Sequence, residues 1–358
     1  MLKPGATIGI LGGGQLGRML ALAAARLGLQ CHVYCPEPDS PAFDVVRRST
    51  QADYDDETAL EAFAAGVDVV TYEFENVPAH TAAFLSARKP VLPNPKVLAT
   101  TQDRLTEKEF VNSLGIPTAP FVPVATAAEL ARAAERIGKP SILKTRRFGY
   151  DGKGQTKLMP DTDPASALKE VGDAPSILEG FVPFEREVSV IAARAADGRV
   201  VCYDVTENEH GDHILRRSTV PAAITPAVAA EAVRIAGRIA TALDYVGVLA
   251  VELFVVGTPG GHRVLVNEIA PRVHNSGHWT LDGASISQFE QHIRAIAGWP
   301  LAEPVRHGRR VEMRNLIGRE IEDFAQWLTV PGATVHLYGK GGWRHGRKMG
   351  HVTRIYED

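Results

Sequence analysis

The sequence contains little cysteine, no long hydrophobic run and almost no excess of one charge. Its 358 residues include 3 cysteines, which are too few for a disulfide framework and too poorly spaced for a zinc cage, so we expect a reducing compartment. No stretch approaches the roughly 20 apolar residues of a membrane span, and the first residues lack a signal-peptide pattern. The formal net charge of -3 predicts no general affinity for nucleic acid or an anionic membrane, although a local basic pocket for a small phosphate ligand stays open. We therefore expect a cytoplasmic protein.

The composition is that of a folded protein with more than one domain. Hydrophobic residues make up 45% and charged residues 23% of the chain, close to the averages of soluble globular proteins, which excludes disorder and collagen-like repeats. At roughly 100 to 200 residues per domain, the length predicts two or three domains. Short apolar runs alternate with helical spacing over the first hundred residues, which predicts a parallel α/β domain. The proline-rich segment 116–120 is typical of a linker.

A glycine-rich turn, Gly12-Gly13-Gly14-Gln15-Leu16-Gly17, lies between the first predicted strand and the first predicted helix. Glycines at such a turn let backbone amides approach an anion at a helix N-terminus, where the helix dipole favours negative charge. With Glu37 about twenty residues further on, the spacing is that of a dinucleotide-binding motif. The same loop occurs in folds that bind no dinucleotide, so a structural turn and a different phosphate ligand are the alternatives.

A second segment combines a lysine on a predicted strand with a basic, glycine-rich loop. Lys144 precedes the loop, which contains Gly149, Gly152, Lys153 and Gly154. Glycines permit close backbone approach, and lysines offer point charges to phosphate oxygens, so this loop could close over a triphosphate. A solvated basic hairpin is the alternative.

Two carboxylates interrupt predicted strands that are otherwise apolar. Glu252 lies in the first strand of a predicted hairpin, and Glu268 lies in the second, directly after Asn267. Burying an unpaired carboxylate is costly, whereas two carboxylates and an amide oxygen beside phosphate groups are a common magnesium arrangement. Glutamates that face solvent on an amphipathic hairpin are the alternative, which the polar segment 271–278 disfavours.

The order of these features resembles that of the ATP-grasp superfamily over roughly residues 100 to 300. In chain order the matching features are the Lys144 strand with its loop, Glu179-Gly180-Phe181-Val182 with Glu187, Glu252, and Asn267-Glu268. Four further segments narrow the resemblance, namely 71–78, 149–155, 272–278 and 338–351. With them the chain resembles the N5-carboxyaminoimidazole ribonucleotide synthetase family of purine biosynthesis, also called the ATPase subunit of phosphoribosylaminoimidazole carboxylase. Two departures, Val273 in place of proline and Trp-Arg-His-Gly at 343–346 in place of Arg-Pro-Gly, concern local backbone geometry.

The resemblance implies an α/β ATP-grasp fold of three domains. These are a Rossmann-like parallel-sheet domain at 1–105, a small central lid at 106–182 and a larger α+β domain at 183–358, with the ATP-grasp region at about 108–298. The implied activity is that of a ligase: bicarbonate attacks the γ-phosphate of ATP, and the exocyclic amine of aminoimidazole ribonucleotide captures the resulting carboxyphosphate. ATP, two magnesium ions and a homodimeric state are also implied.

The resemblance further assigns residues to sites. For ATP they are Arg104, Lys144, Gly149, Tyr150, Asp151, Gly152, Lys153, Gly154, Gln155, Glu179, Gly180, Phe181, Val182, Glu187, His210, Asn267 and Glu268. For the ribonucleotide they are Gly14, Gln15, Leu16, Glu73, Asn76, Tyr150, Asp151, Lys340 and Arg347. The implied catalytic residues are Asp151, Arg272, His274 and Asn275, and the implied magnesium ligands are Glu252 and Glu268.

Several roles within these sets also follow from the resemblance. Backbone groups of the Glu179 segment would hold adenine, and Glu187 would hold the ribose hydroxyls. Lys340 and Arg347 would bind the 5′-phosphate of the ribonucleotide, since cations recognise phosphate. Arg272 would stabilise carboxyphosphate.

Three other functions compete with this interpretation. A nicotinamide-dependent oxidoreductase would use the glycine turn but would leave Glu252, Glu268 and the Lys144 loop unexplained. A related ATP-grasp ligase could activate formate or an amino acid and differ only in its acceptor. A nucleotide sensor without catalysis would need neither magnesium carboxylate.

Overall fold

The computed structural model of the chain describes residues 1–149 and 152–357. Tyr150 and Asp151, which the resemblance assigns to the ATP and ribonucleotide sites, lie outside the described residues. Within the described ranges, no helix combines the length and the apolar character needed to cross a bilayer.

The first part of the chain forms a parallel sheet with helices on its faces. Its elements are β1 (Thr7–Leu11), α1 (Gln15–Arg26), β2 (Gln30–Cys35), β3 (Arg48–Gln51), α2 (Glu57–Ala65), β4 (Val69–Tyr72), α3 (Ala79–Ser86), α4 (Pro95–Thr101) and α5 (Arg104–Ser113), with a 3-10 turn at Phe43–Val45. The strand order is β3-β2-β1-β4, and every pairing is parallel. Strand β1 reads as a continuous apolar run because helices cover both faces of such a sheet. The predicted parallel α/β arrangement is confirmed.

The second part is a smaller antiparallel sheet, whose strands lie within the range predicted for the lid. Its elements are β5 (Phe121–Val124), α6 (Ala127–Ile137), β6 (Ser141–Thr145), β7 (Gln155–Leu158), α7 (Pro164–Glu170) and β8 (Ser176–Gly180), in the strand order β5-β8-β6-β7. Helix α6 begins with a capping box between Thr126 and Glu129. Successive residues of β6 alternate between the faces of the sheet, so Leu143 enters the lid core and Lys144 faces the other way.

The third part is a large sheet that carries most of the remaining chain. Its elements are β9 (Arg186–Arg194), β10 (Val200–Cys202), β11 (Thr206–Gly211), β12 (Ile214–Val220), α8 (Pro226–Ala242), β13 (Gly247–Thr258), β14 (Gly261–Ala270), α9 (Thr280–Gly283), α10 (Gln288–Ile296), β15 (Arg310–Ile317), β16 (Ala333–Leu337) and β17 (Lys348–Tyr356), with 3-10 segments at Asn275–Gly277 and Gly318–Thr329. The strand order is β14-β13-β9-β11-β12-β15-β17-β16, with β10 beside β9. The predicted hairpin is β13 with β14, and Glu252 lies opposite Glu268 in its register. The exact domain boundaries stay predictions.

A buried histidine joins the first sheet to the third. His292 on α10 accepts a hydrogen bond from the Val248 amide at its Nδ1 (3.1 Å), so the neutral ring carries its proton on Nε2. Nε2 lies 2.8 Å from Thr71 Oγ1 on β4 and donates to it. Burial lowers the pKa of His292 from 6.5 to about 3. This contact fixes the end of β4, and therefore the residues that follow it, against the large domain.

The buried histidines predict a loss of stability in mild acid. Below pH 6.5 the unfolded chain protonates His292, whereas the folded protein does so only near pH 3. The unfolded state then binds more protons, so the free energy of unfolding falls as pH falls through this window, by about 1.4 kcal/mol per pH unit for one group. Burial also lowers the pKa values of His278 and His351, which adds to the slope.

The measurement is urea unfolding of the wild type and of His292→Gln at several values between pH 5 and pH 7. Glutamine retains a donor toward Thr71 but cannot titrate, so we expect its pH slope to be shallower by about one proton. His262→Gln, which changes an exposed histidine, should keep the wild-type slope. Equal slopes for the wild type and His292→Gln would show that His292 does not set the acid response.

Candidate active site

A cavity of about 1110 Å³ lies between the three parts of the fold. Among the described members of the predicted ATP, ribonucleotide, catalytic and magnesium sets, all except Gly14 and Gly154 line this cavity. Residues that are distant in the chain are therefore brought to one place, as a single reaction site requires.

The backbone amides of the glycine-rich turn bind a carboxylate of the chain itself. The carboxylate of Glu73, directly after β4, accepts hydrogen bonds from the Gly14 amide and, at 2.8 Å, from the Gly17 amide. It thus caps the N-terminus of α1, where no local side chain does so. A Cβ atom on Gly14 would lie 2.6 Å from Glu73 Oε1, so a larger residue would displace this carboxylate. Gly14 faces Glu73, while Gln15 and Leu16 face the cavity.

This carboxylate disfavours the dinucleotide alternative. The amides that would bind a pyrophosphate are occupied by Glu73, and a second anion at the same place would be repelled. Burial raises the pKa of Glu73 above its ordinary value. The hydrogen bonds from the Gly17 and Gly14 amides and the charge of the nearby Arg272 lower it, but they offset only part of the effect of burial.

Arg272 forms a two-pronged ion pair with Glu75. Its Nε and Nη2 donate to the two oxygens of that carboxylate, with Nη2 at 3.0 Å, and its Nη1 donates to the Val273 carbonyl at 3.2 Å. Burial alone would raise the pKa of Glu75, but Arg272 more than offsets this and lowers it to about 2. The pair joins the loop after β4 to the segment after β14 and fixes the plane of the guanidinium.

Lys144 belongs to a buried cluster of opposite charges at the wall of the cavity. Its Nζ donates to Glu179 Oε2 at 3.0 Å, and Lys108 Nζ lies 3.3 Å from Glu179 Oε1. The Lys108 and Glu179 side chains are only 2% and 4% exposed. Burial alone would raise the pKa of Glu179, but Lys108 and Lys144 lower it to about 2. Lys108 Nζ also donates to the Asn267 carbonyl at 3.2 Å, so it links the lid to β14.

The facing pair Glu252 and Glu268 lies beside Asn267 in the cavity. Arg104 Nη1 donates to Glu268 Oε2 at 3.0 Å, and its Nη2 donates to the Gly149 carbonyl at 3.1 Å. Asn267 Oδ1 is buried and has no hydrogen-bond partner among the described residues. Two carboxylates with an unpartnered amide oxygen are a donor set that fits magnesium, whose remaining positions phosphate and water oxygens usually fill. No cluster of three His, Cys, Asp or Glu side chains in the described ranges offers an alternative metal site.

Two residues of the 272–275 segment are held by neighbouring side chains. His274 Nε2 lies 3.1 Å from Glu252 Oε1. Asn275 Nδ2 donates to Asn315 Oδ1 at 3.0 Å, and Asn315 Nδ2 donates back to Asn275 Oδ1 at 2.6 Å. This reciprocal pair leaves Asn275 one N–H that can face the cavity.

The side of the cavity near β9 and β11 carries a histidine–carboxylate pair. His210 Nδ1 contacts the Glu187 carboxylate. Burial opposes the charged form of His210, but its hydrogen bond to Glu187 and the negative charge of Glu187 raise its pKa above the ordinary value.

Cations of the C-terminal loop also line the cavity. Lys340 Nζ donates to the Lys348 carbonyl at 2.8 Å, and Arg347 Nη1 donates to the Gly341 carbonyl at 2.7 Å. Burial lowers the pKa of Lys340 to about 8, and the charge of Arg347 acts in the same direction. An anion bound there would relieve the repulsion among these cations.

Several functional neighbours were not predicted from the sequence. Glu75 belongs to a motif that was recognised, but nothing in the sequence indicates that it pairs with Arg272. Lys108 and Glu107 lie on α5, where charged residues usually face solvent, yet both are buried. Burial raises the pKa of Glu107 to about 8, and the charge of Glu268 adds to this. The roles of these residues become evident only from their partners in the folded structure.

Comparison with known proteins identifies three domain families along the chain. Residues 5–102 match the ribonucleotide synthetase preATP-grasp domain, residues 109–289 the ATP-grasp domain, and residues 312–358 the phosphoribosylaminoimidazole carboxylase C-terminal domain. The chain is 53% identical over 358 residues to the N5-carboxyaminoimidazole ribonucleotide synthase of Brucella melitensis biotype 1, covering 99% of this chain and 97% of that protein.

Solved structures give the same result. An N5-carboxyaminoimidazole ribonucleotide synthetase in complex with ADP is 42% identical, with a TM-score of 0.95 and coverage of 100% of this chain and 94% of that one. The N5-carboxyaminoimidazole synthase of Aspergillus clavatus, in complex with ADP and 5-aminoimidazole ribonucleotide, is 31% identical, with a TM-score of 0.91 and coverage of 99% and 94%.

Proposed function

The chain belongs to the N5-carboxyaminoimidazole ribonucleotide synthase family of ATP-grasp enzymes, and from this membership we propose that it carboxylates 5-aminoimidazole ribonucleotide with bicarbonate and ATP. The products are N5-carboxyaminoimidazole ribonucleotide, ADP and phosphate, a step of purine biosynthesis. The family and the α/β ATP-grasp fold predicted from the sequence are confirmed. The observation that carries the proposal is the single cavity, in which phosphate-binding cations, two facing carboxylates and a second cationic pocket lie together.

The nucleotide half of the cavity suits ATP. Lys144 and Arg104 present positive charge where the lid meets β14, and phosphate oxygens would compete with Glu179 and Glu268 for these cations. Glu187, paired with His210, offers carboxylate oxygens to the ribose hydroxyls. The end of β8 and the residues that follow it, from Glu179 to Val182, would offer backbone groups to adenine.

A magnesium ion at Glu252, Glu268 and Asn267 would neutralise negative charge on the phosphates when it is bound. Transfer of the γ-phosphoryl group to bicarbonate then depends mainly on positioning and electrostatics. Arg272, whose guanidinium plane is fixed by Glu75, lines the same cavity as Glu252 and Glu268 and would stabilise the charge of carboxyphosphate. We propose that two magnesium ions bind, the number that the family resemblance implies.

The acceptor half of the cavity suits a phosphorylated amine. Lys340 and Arg347 would bind the 5′-phosphate, and Gln15 and Leu16 line the wall next to them. The amine would attack the carboxyl carbon of carboxyphosphate, with phosphate as the leaving group. An enclosed site would also limit hydrolysis of carboxyphosphate by water.

The test is phosphate release from MgATP with bicarbonate, in the presence and absence of aminoimidazole ribonucleotide. We expect release that depends on the ribonucleotide and yields an acid-labile carboxylated product. A parallel reaction with formate in place of bicarbonate separates this activity from that of a related ligase. Equal rates of phosphate release with formate and with bicarbonate would overturn the assignment of the acyl donor. A rate of phosphate release that is the same with and without the ribonucleotide would overturn the assignment of the acceptor.

The cytoplasmic location and the homodimer are also part of the proposal. Both are supported by the resemblance to enzymes of nucleotide metabolism. Sedimentation equilibrium of the purified chain would test the dimer.

A further inference from the structure

A chain of side-chain hydrogen bonds connects β12, β11 and β9 to His274, whose ring contacts Glu252. From Glu252 outward, His274 Nε2 lies 3.1 Å from Glu252 Oε1, and His274 Nδ1 lies 2.8 Å from Ser276 Oγ. Ser276 Oγ lies 2.7 Å from Ser189 Oγ, which in turn lies 3.0 Å from Asn208 Nδ2. Asn208 Oδ1 then accepts from Ser218 Oγ at 2.8 Å. The three serines are fully buried, although polar groups rarely occupy such positions without a partner.

One fixed donor sets the direction of every bond in this chain. The backbone amide of Ser276 can only donate, and it lies 3.3 Å from His274 Nδ1. Nδ1 is therefore an acceptor, so the ring carries its proton on Nε2 and donates to Glu252. The Ser276 hydroxyl must then donate to Nδ1 and accept from Ser189.

The same reasoning continues to the end of the chain. Because the Ser189 hydroxyl is used as a donor to Ser276, its oxygen accepts from Asn208 Nδ2. The Asn208 carbonyl oxygen is then free to accept from Ser218. All donors point toward Glu252, so the bond dipoles add and favour negative charge on that carboxylate.

We propose that His274 is a positioning residue for Glu252, held in one tautomer by the chain Ser276–Ser189–Asn208 so that one carboxylate oxygen is fixed and the other is left for the cation. Both ring nitrogens of His274 are occupied, one by Glu252 and one by Ser276. In this arrangement His274 acts on the reaction through Glu252. The inference rests on the proposed function in one respect, namely that Glu252 binds the metal. Partners that orient a ligand in this way commonly contribute 10- to 100-fold, at order of magnitude, to metal affinity.

The test compares two amide substitutions of the same histidine. The amide nitrogen of His274→Gln can reach the position of Nε2, whereas that of the shorter His274→Asn lies near Nδ1. The measurement is Mn²⁺ binding to the protein with saturating ADP, followed by electron paramagnetic resonance of the free ion. We expect His274→Asn to weaken Mn²⁺ binding by about tenfold or more and His274→Gln to restore most of it.

Two further variants complete the design. Ser276→Ala removes the hydroxyl but keeps the backbone amide, so we expect a smaller loss of Mn²⁺ affinity. His262→Asn makes the matched change at an exposed ring on β14 that contacts Glu185 and not Glu252, and should bind Mn²⁺ as the wild type does. In steady-state assays, the Mg²⁺ concentration for half-maximal rate should rise in His274→Asn more than kcat falls. Thermal melting verifies that each variant is folded.

The proposal and the proposed function can fail separately. Wild-type Mn²⁺ affinity in both His274→Asn and Ser276→Ala, or equal losses in the Gln and Asn variants, would overturn the positioning role. The expected ranking of Mn²⁺ affinities without ribonucleotide-dependent phosphate release would support the positioning role and overturn the acceptor assignment. Absence of Mn²⁺ binding by the wild type with ADP would overturn both the metal site and this inference.

Discussion

Glu268→Gln is expected to lower kcat for ribonucleotide-dependent phosphate release by about 10³-fold, a loss of about 4 kcal/mol of transition-state stabilisation. Glu268 faces Glu252 across the β13–β14 hairpin and accepts a hydrogen bond from Arg104 at 3.0 Å. Glutamine keeps the size of the side chain but removes its negative charge, so a magnesium ion held by Glu252 and Glu268 would lose one of its two carboxylates. The measurement is kcat at saturating ATP, bicarbonate and ribonucleotide over a series of Mg²⁺ concentrations.

Glu185→Gln is the matched control for this substitution. Glu185 is paired with His262 at the far end of the same hairpin, at 3.0 Å, and does not line the cavity. Its replacement should leave kcat within about twofold of the wild type, since exposed ion pairs contribute little. A Glu268→Gln enzyme with the wild-type rate and the wild-type Mg²⁺ dependence would refute the metal assignment.

Glu179→Gln is expected to lower the free energy of unfolding by about 3 to 5 kcal/mol, because it leaves Lys108 and Lys144 buried together without their shared carboxylate. The pKa of Glu179, about 2 in the folded protein against 4.5 in an unperturbed chain, gives a similar figure of about 3 kcal/mol. The measurement is urea unfolding at neutral pH. Glu135→Gln, an exposed substitution on lid helix α6, should change stability by less than about 0.5 kcal/mol.

We also expect the stability difference between the wild type and Glu179→Gln to depend on pH. The folded-state pKa of Glu179 is lowered, so its contribution to stability is fully present above pH 4.5 and is lost as pH falls from 4.5 toward 2. The wild type and Glu179→Gln should therefore converge in stability at the acid end of this window. A constant difference between them down to pH 3 would indicate that lost packing, not lost charge, explains the effect.

The sequence predicted those features that local patterns determine. The Lys144 strand and the β13–β14 hairpin were found because a short apolar run next to a turn signal predicts a strand by itself. Glu252 and Glu268 stood out because each interrupts such a run, and the register places them opposite each other. The motif order then supplied the family.

Features that depend on distant partners could not be predicted in this way. The strands β12 and β15 carry Ser218 and Asn315 at buried positions, so the two-residue alternation that marks a strand is broken in both. Lys108 has the sequence of a solvated helix face, and its burial follows only from Glu179 and the Asn267 carbonyl. Likewise, the partner of Arg272 lies 197 residues away in the chain.

The carboxylate of Glu73 in the glycine-rich turn has a consequence for how such turns are classified. A motif search that scores only the glycines would group this chain with nicotinamide and flavin enzymes, since the turn and the helix that follows have the expected form. The residue that separates the two groups, Glu73, lies 59 positions after Gly14, directly after another strand. In this chain the turn therefore has to be read together with the residue after the neighbouring strand, because the Glu73 carboxylate caps the helix and occupies the amides that a cofactor phosphate would use.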